Sequence, residues 1–490
     1  MTGSHPAYSV NFYWANFKYF FAEDLTIPVI SNILFASFNA REEAGSMRDM
    51  TTGPAHGHLW RYALPLLIGN WLQLAYNAVD SIIAGRFIGR DALAAEGIAA
   101  PVMNLVILAV TGMCIGAGVL MSEAFGAKEM DRLRKTFAAT IRFGAILCCS
   151  ATVLGVIFTP AILDALAVPQ GIYGMTAVYF RITFLGTPFT FFYNTIAAGL
   201  KSVGDSRTPL KFLAFSAILN AVLDLIFLGL LGFGIVCSAV TTVVAEALSA
   251  LLAGGYLLRR FPELCPRRGD WHSDRALLGR IVWYAAPTAL QQTVQPVCKV
   301  LIQRQINLLG ENVIAAFNAV TRFDNLAMIP EQSIASAIST YIAQNRGAKK
   351  DERIRSGFRA GIRLEILYWA LICSMTFLLR TPAVSLFVTG EGAGEIVALG
   401  SRYLGYMAFF YIFPGLTNAV QGFFRGMGKM VTTIIATAIQ ASLRVVFTVL
   451  LAPRIGMVGV AFACVIGWSM MLLFEIPYYF YTCKKKGISK

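Results

Sequence analysis

Four polar side chains follow one face of the first long apolar segment, residues 60–84. They recur every three or four residues, which places them on one stripe of a helix: Asn70, Gln73, Asn77 and Asp80. The segment is long enough to cross a hydrocarbon layer about 30 Å thick. A carboxylate at that depth costs at least ~3 kcal/mol unless it faces a cavity, an ion or a partner. The stripe therefore predicts that the chain handles a polar species inside a membrane.

Later apolar segments of the same half add carboxyl, amide and hydroxyl groups. Asn220 and Asp224 lie one helical turn apart in the fifth segment. Thr242 and Glu246 have the same spacing in the sixth segment, and Asn194 lies near the end of the fourth. No Lys or Arg stands in mid-segment to neutralise the acids. Because oxygen ligands suit a hard cation and paired carboxylates in a low dielectric suit proton uptake, these groups predict a site for one or the other.

The amides and hydroxyls also have a purely structural interpretation. Intramembrane Asn and Thr side chains commonly hydrogen-bond neighbouring helices, which would account for Asn194, Asn220 or Thr242 taken singly. Glu246 fits helix packing or an interfacial position equally well. The two aspartates are harder to explain in this way, because no mid-segment cation is available as their counter-ion.

The composition is that of a membrane protein. Of 490 residues, 57% are hydrophobic and 14% are charged, and the mean hydropathy is +0.62, whereas about a quarter of the residues in a soluble chain are charged. The net charge of +14 is concentrated in short segments between apolar runs, in alternate segments only. We therefore expect membrane lipids around the chain and no nucleic-acid partner.

Neither metal nor enzyme chemistry is indicated by the sequence. The nine cysteines have no metal-binding spacing, and none of the four histidines lies deep in an apolar segment. No nucleophile–base pair is visible, and the loops are too short to hold a catalytic domain. We expect no metal centre, no cofactor and no enzymatic activity.

Twelve apolar segments predict an all-α polytopic membrane protein with twelve transmembrane helices. Their approximate bounds are 60–84, 95–122, 136–158, 175–198, 208–231, 234–258, 278–308, 313–341, 358–379, 396–422, 431–452 and 456–481. Most Lys and Arg residues lie after the even-numbered segments, as Lys128 and Arg132 do after the second. By the positive-inside bias, we expect a multi-pass protein of the plasma (inner) membrane with both termini in the cytoplasm.

The second half of the chain repeats the first. Tyr62-Ala63-Leu64-Pro65 recurs as Tyr284-Ala285-Ala286-Pro287, displaced by 222 residues, and Gly126-Ala127-Lys128 recurs as Gly347-Ala348-Lys349, displaced by 221. Each half has six spans, an even number, so both halves enter the membrane from the same side. The repeats therefore predict two pseudo-symmetric six-helix bundles around a cavity that opens alternately to each side.

The repeat also predicts the bounds of each part. We expect two lobes joined by a linker and followed by a tail. Their bounds are an N-lobe at 59–258, a linker at 259–277, a C-lobe at 278–483 and a basic cytoplasmic tail at 484–490. The preceding residues 1–58 are interrupted by charges and lack the features of a signal peptide. We expect them to form a poorly structured or interfacial extension, and translation from Met47 is one interpretation.

The first span of the second half carries a different polar face. Gln292, Gln295 and Lys299 follow at helical spacing, and Ile302 occupies the repeat position of Asp80. Later spans contain charges of both signs: Arg322, Asp324, Glu331, Glu365, Arg444 and Glu475. These charges either pair with one another or line the cavity. The candidates for lining or gating the cavity are Pro65, Gln73, Tyr76, Asn77, Gln292, Gln295 and Lys299. Proline in the first span would let that helix bend, unless it only marks the helix start.

In combination, several short motifs resemble those of the multidrug and toxic compound extrusion (MATE) family, bacterial and archaeal type. The resemblance covers roughly residues 59–481. Its motifs are Ala63-Leu-Pro65, Tyr76-Asn-Ala-Val-Asp80-Ser, Ala84-Gly-Arg86-Phe-Ile-Gly89, Gly126-Ala-Lys128, Leu200-Lys-Ser-Val-Gly204-Asp-Ser-Arg-Thr-Pro209, Asn220-Ala-Val-Leu-Asp224 and Arg425-Gly-Met-Gly428.

The resemblance implies two six-helix bundles around a V-shaped cavity and a secondary active efflux transporter. Such a protein exchanges small amphipathic or cationic drug-like compounds for H⁺ or Na⁺. The resemblance places the family's cation site on Asp80, Asn194, Asn220, Asp224 and Thr242. If the coupling ion is Na⁺ rather than H⁺, its ligands would be Asp80, Asn220, Asp224 and Thr242. Some relatives carry a glutamate in the seventh helix, where this chain has Gln291 and Gln292. We therefore expect coupling in the N-lobe of a monomer.

Two other functions are compatible with twelve helices and a polar cavity. A flippase for lipid-linked oligosaccharides, or another flippase of the same superfamily, should have a strongly cationic cavity for pyrophosphate. The N-terminal half lacks mid-span basic residues, which disfavours this interpretation. A membrane receptor would bind ligand without transporting it.

Overall fold

The computed structural model describes residues 47–272, 275–388 and 392–485, and the backbone alone of Ala84, Arg90 and Ala92. These residues form fourteen α-helices and no strand. The first seven are α1 (Ala55–Phe87), α2 (Arg90–Gly126), α3 (Met130–Ile157), α4 (Thr159–Ala165), α5 (Gln170–Ser202), α6 (Arg207–Asp224) and α7 (Ile235–Arg260). The last seven are α8 (Arg275–Asn307), α9 (Glu311–Gly347), α10 (Asp351–Ser385), α11 (Ala393–Phe410), α12 (Ile412–Gly426), α13 (Met430–Ile455) and α14 (Met457–Lys485).

Thirteen of the fourteen described helices make twelve membrane crossings. The short α4 does not cross, and α11 and α12, which meet at a bend of 44°, together make one crossing. Seven described helices pass a strict test of length and apolar composition, or eight with the bent pair counted as one. The other long helices, α1, α5, α8 and α9, carry more polar residues. The prediction of an all-α polytopic protein with twelve transmembrane helices in two bundles is confirmed.

The helices depart from the predicted segments mainly at their ends. The second segment was expected at 95–122 and the eighth at 313–341, but α2 and α9 are both 37 residues long. Each continues beyond its apolar stretch, because a helix satisfies its own backbone groups outside the hydrocarbon as well as within it. The fifth segment changes geometry: α6 ends at Asp224, and a π-helix follows over Leu225–Leu230.

The two bundles meet at one face of the molecule. We call this the basic face and define it by the loops 127–129, 203–206, 261–272, 348–350 and 427–429. Gly126 at the end of α2 packs on the Gln344 carbonyl, and its repeat equivalent Gly347, at the end of α9, packs on the Glu123 carbonyl. A Cβ at either glycine would overlap backbone atoms of the other bundle. The repeated Gly-Ala-Lys motif therefore permits a close, pseudo-symmetric contact between the bundles.

Polar contacts reinforce this closure. Glu123 accepts hydrogen bonds from Arg346 of the second bundle and from Arg132, at 3.4 Å, of the first. Gln344 donates to the Ser202 carbonyl at 2.9 Å, again across the bundles. Because these contacts all lie near the basic face, they hold the two bundles together on that side.

The residues before α1 take part in the same closure, which corrects the expected poorly structured extension for residues 47–58. The Arg48 N–H donates to the Val203 carbonyl at 2.8 Å, and the Met50 N–H donates to Gln344 at 3.0 Å. Asn345 donates to the Met50 carbonyl at 3.2 Å. The segment is ordered because its backbone groups bond to both bundles. Residues 1–46, the remainder of the predicted extension, lie outside the described residues, as do 486–490 of the predicted tail.

The predicted linker is anchored to the first bundle. Asp270 accepts hydrogen bonds from the Arg134 side chain at 3.1 Å and from the Arg267 N–H at 2.9 Å. Burial favours the neutral acid, but the Arg267 N–H and the Arg134 guanidinium outweigh it and hold the pKa of Asp270 below its usual value. The carboxylate is therefore charged at neutral pH and fastens the connection between the bundles.

We expect Gly126→Ala to open the basic face. The added Cβ would displace the Gln344 backbone, and overpacking of this kind costs about 1–3 kcal/mol. Thr340 shares a 3.1 Å hydrogen bond with Tyr62 across the bundles. A cysteine introduced at position 340 should react faster with a water-soluble maleimide when Gly126 is replaced by Ala. Gly255→Ala is the control, since nothing lies within 4 Å of its added Cβ. Equal labelling rates in the two variants would contradict the closure.

Candidate functional site

Two aspartates from different helices meet inside the first bundle. Asp80 lies in α1, and Asp224 is the last α-helical residue before the π-helix. Their carboxyl groups are within hydrogen-bonding reach of each other, and Asp224 is completely buried. A π-helical turn removes regular i to i−4 bonding and is frequent at functional sites. The change of helix type at Asp224 therefore lies directly at the site.

Hydroxyl and amide groups surround this pair. Thr241 of α7 donates a hydrogen bond to Asp224 Oδ1. Asn220 donates to Thr242 Oγ1 at 3.1 Å, and Tyr76 of α1 lies beside Thr242 and Asp80. Asn220 therefore lies against Asp224 and Thr242 against Asn220, and their place in a cation site stays a prediction.

Three buried oxygen atoms at this site have no hydrogen-bond partner within the described chain: Asp80 Oδ1, Asn220 Oδ1 and Asp224 Oδ2. A buried acceptor without a partner costs about 1–3 kcal/mol. These oxygens suit a proton shared between the carboxyls or a hard cation. Within the described residues no group of three or more His, Cys, Asp or Glu side chains is arranged for a metal ion. A Na⁺ ion here would therefore need the amide and hydroxyl oxygens as well as the carboxylates.

Asn194 departs from the predicted set. Its Nδ2 donates to the Thr190 carbonyl at 2.8 Å, and its side chain lines the central cavity. Thr190 in turn donates to Glu246 at 2.7 Å. The grouping of Asn194 directly with the aspartates is therefore not seen, because the side chain bonds to its own helix, one turn back.

The polar stripe of α1 divides into separate contacts. Asn70 reaches across to Ser333 of α9 at 3.2 Å, whereas Gln73 donates to Asn77 at 3.2 Å. Of the α1 candidates, Pro65, Gln73, Tyr76 and Asn77 are absent from the described lining of the central cavity. Pro65 is buried, and α1 continues through it as one helix. In the described lining, the stripe is therefore represented by Asn70, which also bonds to the other bundle.

Two residues of this site were missed by the sequence analysis. Glu96 of α2 accepts from Ser81 at 3.0 Å, and its charge reaches both aspartates. It was overlooked because the second segment was expected to begin at residue 95, which would place Glu96 at the membrane surface. Thr241 was overlooked because the helical stripe was counted through its neighbour Thr242.

The second bundle holds buried acids without ion pairs. Glu331 and Glu365 are each about 1% exposed and lie next to each other. Glu331 is 3.5 Å from the Asn418 amide, and neither Glu365 oxygen has a partner in the described chain. Asp324 accepts from the phenols of Tyr411 and, at 3.3 Å, Tyr403. Of the two alternatives for these charges, mutual pairing is therefore not seen for these three acids: Glu331 and Asp324 accept from amide and hydroxyl donors, and Glu365 has no donor in the described chain.

Between the bundles lies a cavity of about 940 Å³. It is lined by residues of both bundles and lies beyond the closed basic face. Three of the candidate lining residues of α8 do line this cavity: Gln292, Gln295 and Lys299. The neighbouring Gln291 donates hydrogen bonds to Gln421 and Thr437, each at 3.0 Å. The charged residues of the described lining are all basic: Lys201, Lys299, Arg425 and Arg444. This polarity is opposite to that expected around an organic cation.

Two helix bundles, a closed face and a polar cavity between the bundles define a multi-pass membrane transporter. The MatE family model matches residues 65–226 and 287–450, one match in each bundle. The chain belongs to the multidrug and toxic compound extrusion family, whose members are multidrug efflux transporters.

Relatives and solved structures agree with this assignment. The chain is 27% identical over 430 residues to the probable multidrug resistance protein YpnP of Bacillus subtilis, covering 87% of this chain and 94% of the relative. It is 25% identical over 398 residues to the FAD transporter of Shewanella oneidensis, covering 79% and 86%. A multidrug resistance MATE transporter solved in an outward-facing conformation superposes with a TM-score of 0.84 at 20% identity, covering 91% of this chain and 100% of that one.

We expect Thr241→Val to destabilise the protein more than Thr376→Val. The first variant removes the hydroxyl donor of buried Asp224, which costs about 1–3 kcal/mol. The second removes a buried hydroxyl that has no partner in the described chain. The midpoints of thermal unfolding in detergent measure the difference. Similar midpoints for the two variants would show that the Thr241 bond contributes nothing.

Proposed function

We propose that this protein is an ion-coupled exporter that works by alternating access. The observation that carries the proposal is the set of unpartnered buried oxygens on Asp80, Asn220 and Asp224. No Lys or Arg bonds to either aspartate in the described chain, so the pair has no permanent counter-ion. A proton or Na⁺ from the medium would supply the missing positive charge, and its uptake would change the free energy of the bundle.

Coupling requires that ion and cargo each prefer one of the two states. The described state is closed at the basic face, which we propose is cytoplasmic, together with both termini, in the inner membrane. In this outward-facing state, the aspartates take up a cation. Neutralisation removes the repulsion between Asp80 and Asp224, so α1 can repack against α6 and α7. Since Asn70 of the same helix bonds to Ser333 of the second bundle, a movement of α1 reaches the interface between the bundles.

Pro65 is the natural place for α1 to bend, because its ring removes one backbone hydrogen bond. It lies at the level where the two bundles touch, next to Tyr62, whose hydroxyl donates to the Lys201 carbonyl at 3.0 Å. A bend there would shift the part of α1 that carries Asp80 relative to α6 and α7. Return to the inward-facing state would deliver the cation to the cytoplasm.

The cargo is a small amphipathic molecule, consistent with the volume of the cavity and with its apolar and amide lining. Relatives named as multidrug resistance proteins and as an FAD transporter support small-molecule cargo of varied chemistry. We propose that the transporter acts as a monomer, with no cofactor other than the coupling ion.

Asp80→Asn should abolish gradient-driven export. Vesicles containing the purified chain are loaded with an anionic or a cationic fluorescent dye, in separate batches, and export is followed under an imposed pH gradient and then a sodium gradient. We expect the unaltered protein to export dye under one gradient and the variant to fall to background, because a neutral amide cannot exchange a proton and holds a cation weakly. Asp164→Asn, at an exposed carboxyl outside the site, is the control. Normal export by the Asp80 variant would refute the coupling site.

A further inference from the structure

The basic side chains of the central cavity lie at two levels. Lys201 and Arg425 lie one residue before the last residue of α5 and α12, near the closed basic face, and they occupy equivalent positions of the repeat. Lys299 and Arg444 lie farther from that face, on α8 and α13 of the second bundle. A molecule in the cavity would therefore meet positive charge at its floor and along one wall.

None of these four bases is in an ion pair within 4 Å in the part of the chain that the structure describes. The Lys299 ammonium donates only a long bond, 3.4 Å, to the Asn325 amide oxygen. Among the described residues, the Nε atoms of Arg425 and Arg444 are buried and have no hydrogen-bond partner. Buried N–H groups of this kind are costly unless a ligand accepts from them.

The acids that lie near these bases accept hydrogen bonds from other, uncharged side chains. Asp324 acts on Lys299 and Arg444, but its oxygens accept from tyrosine hydroxyls. Glu475 acts on Arg425, but it accepts from the Gln421 amide at 2.5 Å. Neither acid lines the cavity. The basic side chains therefore belong to the described lining of the cavity, whereas Asp324 and Glu475 do not.

We propose that the cargo of this transporter carries an anionic group, such as a carboxylate, sulfonate or phosphate, on an amphipathic body. Arg444 and Lys299 bind that group, since a guanidinium fork and an ammonium both donate to such oxygens. Trp468 and Met471 offer apolar surface in the same cavity. This inference rests on the proposed export function and replaces the organic cation expected from the family resemblance. The anionic group can belong to a free solute or to a lipid headgroup.

The sign of the cargo changes how the membrane potential drives the cycle. With one coupling cation entering per turn, export of a monocation moves no net charge. Export of a monoanion moves two positive charges inward, so an inside-negative potential accelerates it. Anion export by this chain is therefore expected to respond to a potassium–valinomycin potential as well as to the ion gradient.

Binding is tested with two dyes that share a xanthene ring system, anionic fluorescein and cationic rhodamine 123, on the full chain in nanodiscs. We expect fluorescence anisotropy to show tighter binding of fluorescein, weakening as salt rises. Arg444→Gln and Lys299→Gln should each weaken fluorescein binding about 10- to 100-fold, the worth of a charge-assisted hydrogen bond. Arg444→Lys keeps the charge and should retain most of the affinity.

The matched control is Arg304→Gln, which removes an exposed charge from α8 at a position outside the cavity lining and should bind fluorescein normally. Rhodamine binding that equals or exceeds that of fluorescein overturns the inference, as does a lack of fluorescein binding. Fluorescein binding that Arg444→Gln and Lys299→Gln leave unchanged overturns it too.

Transport assays separate the two sources of the anion and isolate the proposed function. Vesicles loaded with fluorescein report export of a free anion, and vesicles with fluorescently labelled phosphatidate, quenched from outside by dithionite, report movement of an anionic headgroup. Either activity, if lost in Arg444→Gln, supports the inference and identifies the source. Arg444-dependent binding without gradient-driven movement refutes the export function and leaves the anion site. Gradient-driven export of rhodamine 123 alone refutes the anion site and leaves the export function.

Discussion

Inside a hydrocarbon layer, each polar group must find its partner within the protein or bring one from the medium. At the meeting of α1, α6 and α7 this requirement is not fully met by the described chain. Asp80 and Asp224 face each other, Thr241 bonds to one oxygen of the pair, and three neighbouring oxygens are left over. In the proposed function, a cation from the medium balances these carboxylates. The conformation of the first bundle would then respond to the ions outside it.

The second constraint is the contact between the bundles. Gly126 and Gly347 allow backbone to meet backbone, and Glu123 with Arg346 adds a charged pair at the same level. These contacts are short-ranged, and they lie on one side of the molecule. The bundles can therefore be held firmly at the basic face and yet leave a cavity beyond it, which is the geometry that alternating exposure needs.

Acidic and basic side chains lie in different places: the acidic ones within the bundles and the basic ones along the cavity between the bundles. The carboxyls of Asp80, Asp224 and Glu331 lie within the bundles, whereas Lys299 and Arg444 line the space between them. If the two proposals hold, a coupling cation and an anionic cargo bind at different places with little direct competition. Ion and cargo would then communicate through the packing of helices rather than by displacing each other from one site.

Much of the fold was determined by the sequence itself, because apolar segment length, the repeat near 222 residues and the placement of Lys and Arg are local or periodic properties. The same holds for Asp80, Asn220 and Asp224, since a carboxyl or amide group is conspicuous among apolar neighbours. Only the tertiary structure decided which side chain bonds to which. The orientation of α7 decides that Thr241 bonds to Asp224 while its neighbour Thr242 bonds to Asn220. The packing of α2 places Glu96 next to Ser81 of α1, close to the aspartates. The basic cavity wall likewise depends on how distant helices face one another, which is not recorded in the spacing along any single helix.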